Sequence, residues 1–204
     1  HSFLEGPSLF IMVLTLRCNH RCLYCQITPE SEKVKGFNMD EATAKKAVDL
    51  MFRTPSKSIC IEFQGGEPLL NWKTLKFVVK YAEELNEGVN KNLKIVLVSN
   101  LTLLDGAKLK FLLDNNVSIS CSFDGPAKIH NQNRVYLKGK DGHRIVLAKI
   151  KAVQKAIKAS RQKNKNKFID NINGILTITK FSLPHYKEII NEYIRAGFNN
   201  IFIR

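Results

Sequence analysis

Short β-branched and apolar runs alternate along the chain with longer stretches in which apolar residues recur every three or four positions. Runs at 9–15, 58–63, 93–99, 117–123, 172–178 and from 201 onward have the length and composition of strands. Between them, Ala44/Ala47/Val48/Met51, Leu75/Val78/Val79/Ala82, Leu109/Leu112/Leu113, Val146/Ile150/Val153/Ile157 and Tyr186/Ile189/Ile190/Tyr193 trace the buried stripes of helices. The pattern predicts an α/β fold of six strands separated by five helices. Regular βα alternation implies a parallel sheet with right-handed crossovers, and the strands read as apolar on both faces, as in a sheet covered by helices. A complete barrel of eight units takes about 250 residues. Six units in 204 residues therefore point to an incomplete barrel or an open doubly wound sheet, and the pattern does not choose between them. In both, chemistry belongs at the carboxyl ends of the strands.

A hydrophobic content of 44% over 204 residues suits one globular domain spanning 1–204. The apolar run at 9–16 is far short of the ~20 residues of a membrane span and lacks the flanks of a signal peptide. Five cysteines, three of them crowded into one segment, argue against a disulfide framework and for a reducing cytoplasm. The chain starts at His1 and stops in an apparent strand at Arg204, which suggests a piece of a longer protein. The formal charge of +14 concentrates at 138–167, where Asp141 is the only acid. That stretch reads as a solvated helix face followed by a flexible polar loop at 163–167, or as a contact for a polyanion or acidic peptide.

The first strand runs into Cys18-Asn19-His20-Arg21-Cys22-Leu23-Tyr24-Cys25, a C-x3-C-x2-C spacing. Three thiolates on a [4Fe–4S] cube leave one iron open to a further ligand. A structural zinc site needs a fourth ligand, for which only His20 or the remote His130 is available. The second strand leads into Gln64-Gly65-Gly66-Glu67-Pro68, where paired glycines permit close backbone approach and a carboxylate can accept from an ammonium. The third ends at Ser99-Asn100; the fourth leads through Ser122, Phe123 and Asp124-Gly125-Pro126 to His130 and Arg134. Arginine offers a planar donor fork suited to a carboxylate. Asp124-Gly125-Pro126 reads as a turn, His130 as either structural or catalytic, and Cys60 and Cys121 as strand residues without a cluster role.

These motifs resemble those of radical S-adenosylmethionine (radical SAM) enzymes. The resemblance implies a partial (β/α)6 TIM-like barrel, a [4Fe–4S] cluster on Cys18, Cys22 and Cys25, and S-adenosylmethionine chelating the open iron, to be cleaved to a 5′-deoxyadenosyl radical. It places Tyr24 beside the adenine, Gln64, Gly65, Gly66 and Glu67 at the methionine amino group, Ser122 and Arg134 at its carboxylate, and Asn100 near the ribose or substrate. Three segments, 14–26, 61–71 and 197–204, are similar to the His-Xaa-Ser system maturase of B type, within the peptide-maturing branch that includes the sulfatase-maturing group. That similarity implies a peptide or protein substrate carrying His-Xaa-Ser repeats and an electron donor such as flavodoxin or ferredoxin. The cysteine-rich C-terminal extension usual in that branch has no counterpart in this sequence. Alternatives are a radical SAM enzyme acting on RNA, suggested by the basic stretch, and a non-catalytic iron–sulfur or zinc-binding module, which would not need 65–68 or Arg134.

Overall fold

The computed structural model describes residues 6–139, 141–163 and 171–204. Its main sheet comprises β1 (Leu9–Val13), β2 (Ser58–Gln64), β3 (Asn92–Ser99), β4 (Ser118–Ser122), β5 (Asn173–Leu176) and β6 (Ile201–Ile203). All neighbours are parallel. Strand order follows chain order from β1 to β6 without reversal. A doubly wound sheet would reverse at a switch point, so the architecture is the partial barrel.

Among the described residues six α-helices lie between or beside the strands: α1 (Glu41–Phe52), α2 (Trp72–Val89), α3 (Gly106–Asp114), α4 (Ala127–Asn133), α5 (Gly142–Lys163) and α6 (Tyr186–Arg195). Asp40 and Asp105 start α1 and α3 by accepting the backbone N–H of Thr43 and Lys108, at 2.7 and 2.8 Å. Five helices match the periodic stretches. The short α4 was not expected, because Ile129 is its only large apolar residue and it presents no repeating stripe.

The helices cover one face of the sheet. Ile59, Ile61 and Phe63 of β2 are buried in one core cluster with the helical residues Val48, Leu75, Val79, Val146, Ile150 and Val153. Each such side chain contributes roughly 1.5–3 kcal/mol when fully buried. The opposite, concave face is open: Leu9, Ile11 and Val13 are 55%, 54% and 43% exposed, and Cys60, Glu62 and Gln64 are half-buried. Of the two architectures left open by the pattern, the open interior face is that of the partial barrel. In β1 an apolar lining of the barrel interior mimics the composition of a doubly covered strand. Arg204, just after β6, reaches across this face to place Nη2 3.4 Å from Glu62 Oε1 on β2.

Lys151, Lys155 and Lys158 of the basic stretch lie on the exposed face of α5, and the expected polar loop falls, after Lys163, outside the described residues. Among the described residues no helix is long and apolar enough to cross a membrane.

Candidate active site

The cysteine loop is built onto the carboxyl ends of β1 and β2 by backbone contacts. Gly66 N–H donates to Thr15 O at 2.7 Å and Glu67 N–H to Arg17 O at 2.8 Å. Gly65 has φ +139°, and a Cβ there would lie 2.3 Å from Thr15 O; on Gly66 it would lie 2.1 Å from Arg17 O. The close approach that requires this glycine pair is thus made by the chain's own cysteine loop. Arg17 fastens the loop from outside, donating to Glu32 O, Leu70 O and Asn38 Oδ1 at 2.9, 3.0 and 3.0 Å. Two short ladders that the sequence did not disclose complete it. Arg17–Cys18 pairs with Glu30–Ser31, and His20–Cys22 pairs antiparallel with Arg134–Tyr136, bringing Cys22 into register opposite Arg134.

A cavity of about 270 Å³ opens at these strand ends. Cys18, Cys22, Cys25, Tyr24, Gln64, Gly65, Gly66, Glu67, Asn100, Ser122 and Arg134 all line it, so the residues that the resemblance assigns to the cluster and to S-adenosylmethionine come to one place. Burial, with Glu67 adding to it, pushes the Cys18 thiol up to about 12, and burial raises Cys22 as well. Thiols in such surroundings become thiolates when metal cations compensate the charge. Three cysteines of one short loop facing a shared cavity fit a cluster that takes three protein ligands and leaves one iron open. Among the described residues no three His, Cys, Asp or Glu side chains are placed to hold a single metal ion.

Arg134 is buried, and its Nη1 donates to the Tyr24 hydroxyl. That hydroxyl donates in turn to Asp124 Oδ2 at 2.8 Å, and Asp124 Oδ1 lies 4.0 Å from Arg134 Nη1. Asp124, read from sequence as part of a turn, is fully buried and is the counter-charge to Arg134. The Arg134 Nε has no hydrogen-bond partner, which leaves a donor of the fork available. Ser122 is half-buried at the same wall. The Glu67 carboxylate accepts from Ser99 Oγ at 2.8 Å, Asn100 N at 2.8 Å and Leu69 N at 3.1 Å, so much of its acceptor capacity is used within the protein. His130 is buried behind the cavity, accepts from the Asp124 N–H at 3.3 Å, and is kept neutral by burial and by Arg134. Cys121 is buried in β4, and Cys60 lies on the concave face of β2.

A model of the radical SAM superfamily matches residues 12–180. The chain belongs to that superfamily. Radical SAM proteins carry a [4Fe–4S] cluster and S-adenosylmethionine, and both suit the donor set and cavity found here. The chain is 31% identical to an uncharacterized protein of Methanocaldococcus jannaschii over 201 residues, 97% of this chain and 62% of that protein. It is 35% identical to a cysteine-type anaerobic sulfatase-maturating enzyme of Clostridium perfringens over 132 residues, 62% of this chain and 35% of that enzyme. Among solved structures, anSMEcpe with bound AdoMet and the Kp18Cys peptide superposes with a TM-score of 0.72 at 24% identity, over 97% of this chain and 51% of that one. SuiB of Streptococcus suis bound to S-adenosylmethionine gives 0.66 at 12% identity, over 98% and 39%. At these identities the solved structures show the shared fold. This radical SAM chain is thus related to the anaerobic sulfatase-maturating enzymes and spans 62% or less of these curated relatives.

Proposed function

We propose that the chain is the catalytic core of a radical SAM enzyme that modifies a peptide or protein. The observation that carries this reading is the convergence of Cys18, Cys22 and Cys25 with Arg134 and the 64–67 segment on one cavity at the carboxyl ends of the strands. A reduced cluster held by these cysteines would supply the one electron needed to cleave S-adenosylmethionine to methionine and a 5′-deoxyadenosyl radical. The protein's own work is to bind, orient and enclose. Cys18, Cys22 and Cys25 supply the cluster thiolates. Arg134, charge-compensated by Asp124 and with Nε uncommitted, takes the methionine carboxylate together with Ser122. The backbone of 64–66 offers acceptors to the amino group, and Tyr24 flanks the adenine.

A peptide substrate is favoured by the relationship to sulfatase-maturating enzymes and by the solved relatives that hold peptides. The segments resembling the His-Xaa-Ser maturase of B type favour a His-Xaa-Ser repeat protein, with flavodoxin or ferredoxin as reductant. The deciding experiment is anaerobic reconstitution with iron and sulfide, followed by dithionite, S-adenosylmethionine and a His-Xaa-Ser repeat peptide. Formation of 5′-deoxyadenosine with a mass change in the peptide is expected. A cluster-loaded protein that forms no 5′-deoxyadenosine would overturn the assignment, whereas 5′-deoxyadenosine without peptide modification would remove only that substrate.

A further inference from the structure

Asn100 faces the cavity, yet its amide is turned toward the cysteine loop. Its Nδ2 donates to Asn19 Oδ1 at 2.9 Å, Asn19 Nδ2 donates to Thr102 Oγ1 at 2.7 Å, and the Thr102 hydroxyl donates back to Asn100 Oδ1 at 2.6 Å. The three side chains close a ring in which each group donates once and accepts once in the same sense. Chains of hydrogen bonds running in one sense polarise one another, and a buried ring of this kind is costly to open. Asn19 is fully buried, Asn100 nearly so and Thr102 half-buried. A second bond to Asn100 Oδ1 comes from the Thr102 N–H at 3.0 Å, and the His20 Nδ1 lies 3.3 Å from Asn19 Oδ1.

The turn that presents Asn100 and Thr102 is strained. Leu101 between them has φ +61°, a left-handed conformation unusual for a non-glycine residue, with its N–H held by Ser99 Oγ at 2.9 Å. The strain allows residues on either side of Leu101 to face the same partner. That partner, Asn19, directly follows the first motif cysteine. The peptide joining Asn19 to His20 carries the N–H that donates to Cys18 Sγ at 3.4 Å.

We infer that the Asn19–Asn100–Thr102 ring is a positioning device for the cluster. It fixes the cysteine loop against the end of β3 so that the His20 N–H is held on the Cys18 sulfur. This rests on the cluster reading above, and it gives the Asn100 amide a task in the protein rather than at the ribose or substrate. An N–H donor at a ligating sulfur draws off negative charge, stabilises the reduced cluster and raises its potential. Holding that donor in place therefore sets both how firmly the cluster is kept and how readily it is reduced.

Thr102 does not line the cavity, so Thr102→Val opens the ring at two bonds with little change of shape, while Thr102→Ser keeps the hydroxyl. On anaerobically reconstituted protein, the midpoint potential and the rate of cluster loss to a chelator would be measured for the parent and both variants. The valine variant is expected to have a more negative potential and roughly five- to tenfold faster cluster loss, the scale of one hydrogen bond, with the serine variant returning to the parent values. Equal potentials and loss rates in parent and valine variant would overturn the inference, as would equal changes in valine and serine variants. If the valine variant fails to fold, Thr102→Ala, which opens the ring at the same two bonds without adding a charge, is judged on the same two readouts. A parent protein that takes up no cluster would instead defeat the cluster reading itself.

Discussion

The Tyr24 hydroxyl lies 2.8 Å from Asp124 Oδ2, joining the cysteine loop to the end of β4 across 100 residues of sequence. It also accepts from Arg134, so one oxygen links a buried carboxylate to a buried guanidinium. In Tyr24→Phe both partners lose a bond. A hydrogen bond to a charged group contributes about 1.5–3 kcal/mol, and the metal-free variant should unfold at lower urea by a corresponding amount. An unchanged midpoint would show that the linkage is not energetically coupled to the fold.

Gly66→Ala is expected to be disruptive although alanine is the smallest possible addition. Its Cβ would lie 2.1 Å from Arg17 O, and backbone is what must give way. Overpacking of this kind costs typically about 1–3 kcal/mol. Iron content after reconstitution should fall along with melting temperature; full loading with a parental melting temperature would contradict the docking of the cysteine loop on the glycine pair.

Replacing Cys18, Cys22 or Cys25 by Ala should abolish the cluster, while Cys60→Ala and Cys121→Ala should retain it. Iron and sulfide analysis with the visible absorption spectrum distinguishes the two groups. A normal spectrum from any variant of the first group would remove that cysteine from the ligand set.

Arg134→Ala should weaken S-adenosylmethionine binding to cluster-loaded protein about ten- to a hundredfold, the worth of a charged hydrogen bond. Anaerobic calorimetry is the direct measurement. Decarboxylated S-adenosylmethionine serves as the control ligand, because it lacks the group that Arg134 is proposed to hold. Equal losses for both ligands would argue against a carboxylate contact.

Acidification should destabilise the metal-free protein through His130. Burial, and secondly Arg134, hold this imidazole well below its ordinary value, so the folded chain stays unprotonated where the unfolded chain takes up a proton. Stability from this group is complete above about pH 6.5 and falls below it by at most about 1.4 kcal/mol per pH unit. Glu67 and Asp124, raised by burial, act in the opposite sense, because the folded state keeps their protons to higher pH. Comparison with His130→Gln isolates the histidine: the parent should lose ground to the variant as pH falls below about 6.5. A difference that stays constant with pH would show that His130 titrates normally.

The cysteines were legible in the sequence because cluster ligation imposes a short local spacing, and the strands because burial imposes composition. Asp124 was not: beside Gly125 and Pro126 it has the signature of a turn, and only its contacts with Tyr24 and Arg134 show its place. Asn19 and Thr102 gave no signal either, since each is an ordinary polar loop residue until a separation of 83 positions is closed. The glycine pair was recognised, but the neighbour demanding its small size proved to be the protein's own backbone. For β1, an apolar strand facing an open barrel interior cannot be told from one covered on both sides by composition alone.

Because strand order follows chain order, each strand emerging during synthesis finds its neighbour already made, and the sheet can grow by accretion from the N-terminal end. The cysteine loop does not share this advantage. It follows directly on β1, yet the Asn100 amide that fastens it arrives 81 residues later, and the Arg134–Tyr136 strand that pairs with it later still. The loop therefore waits through β2, β3 and β4 before all the contacts that fix its resting geometry exist.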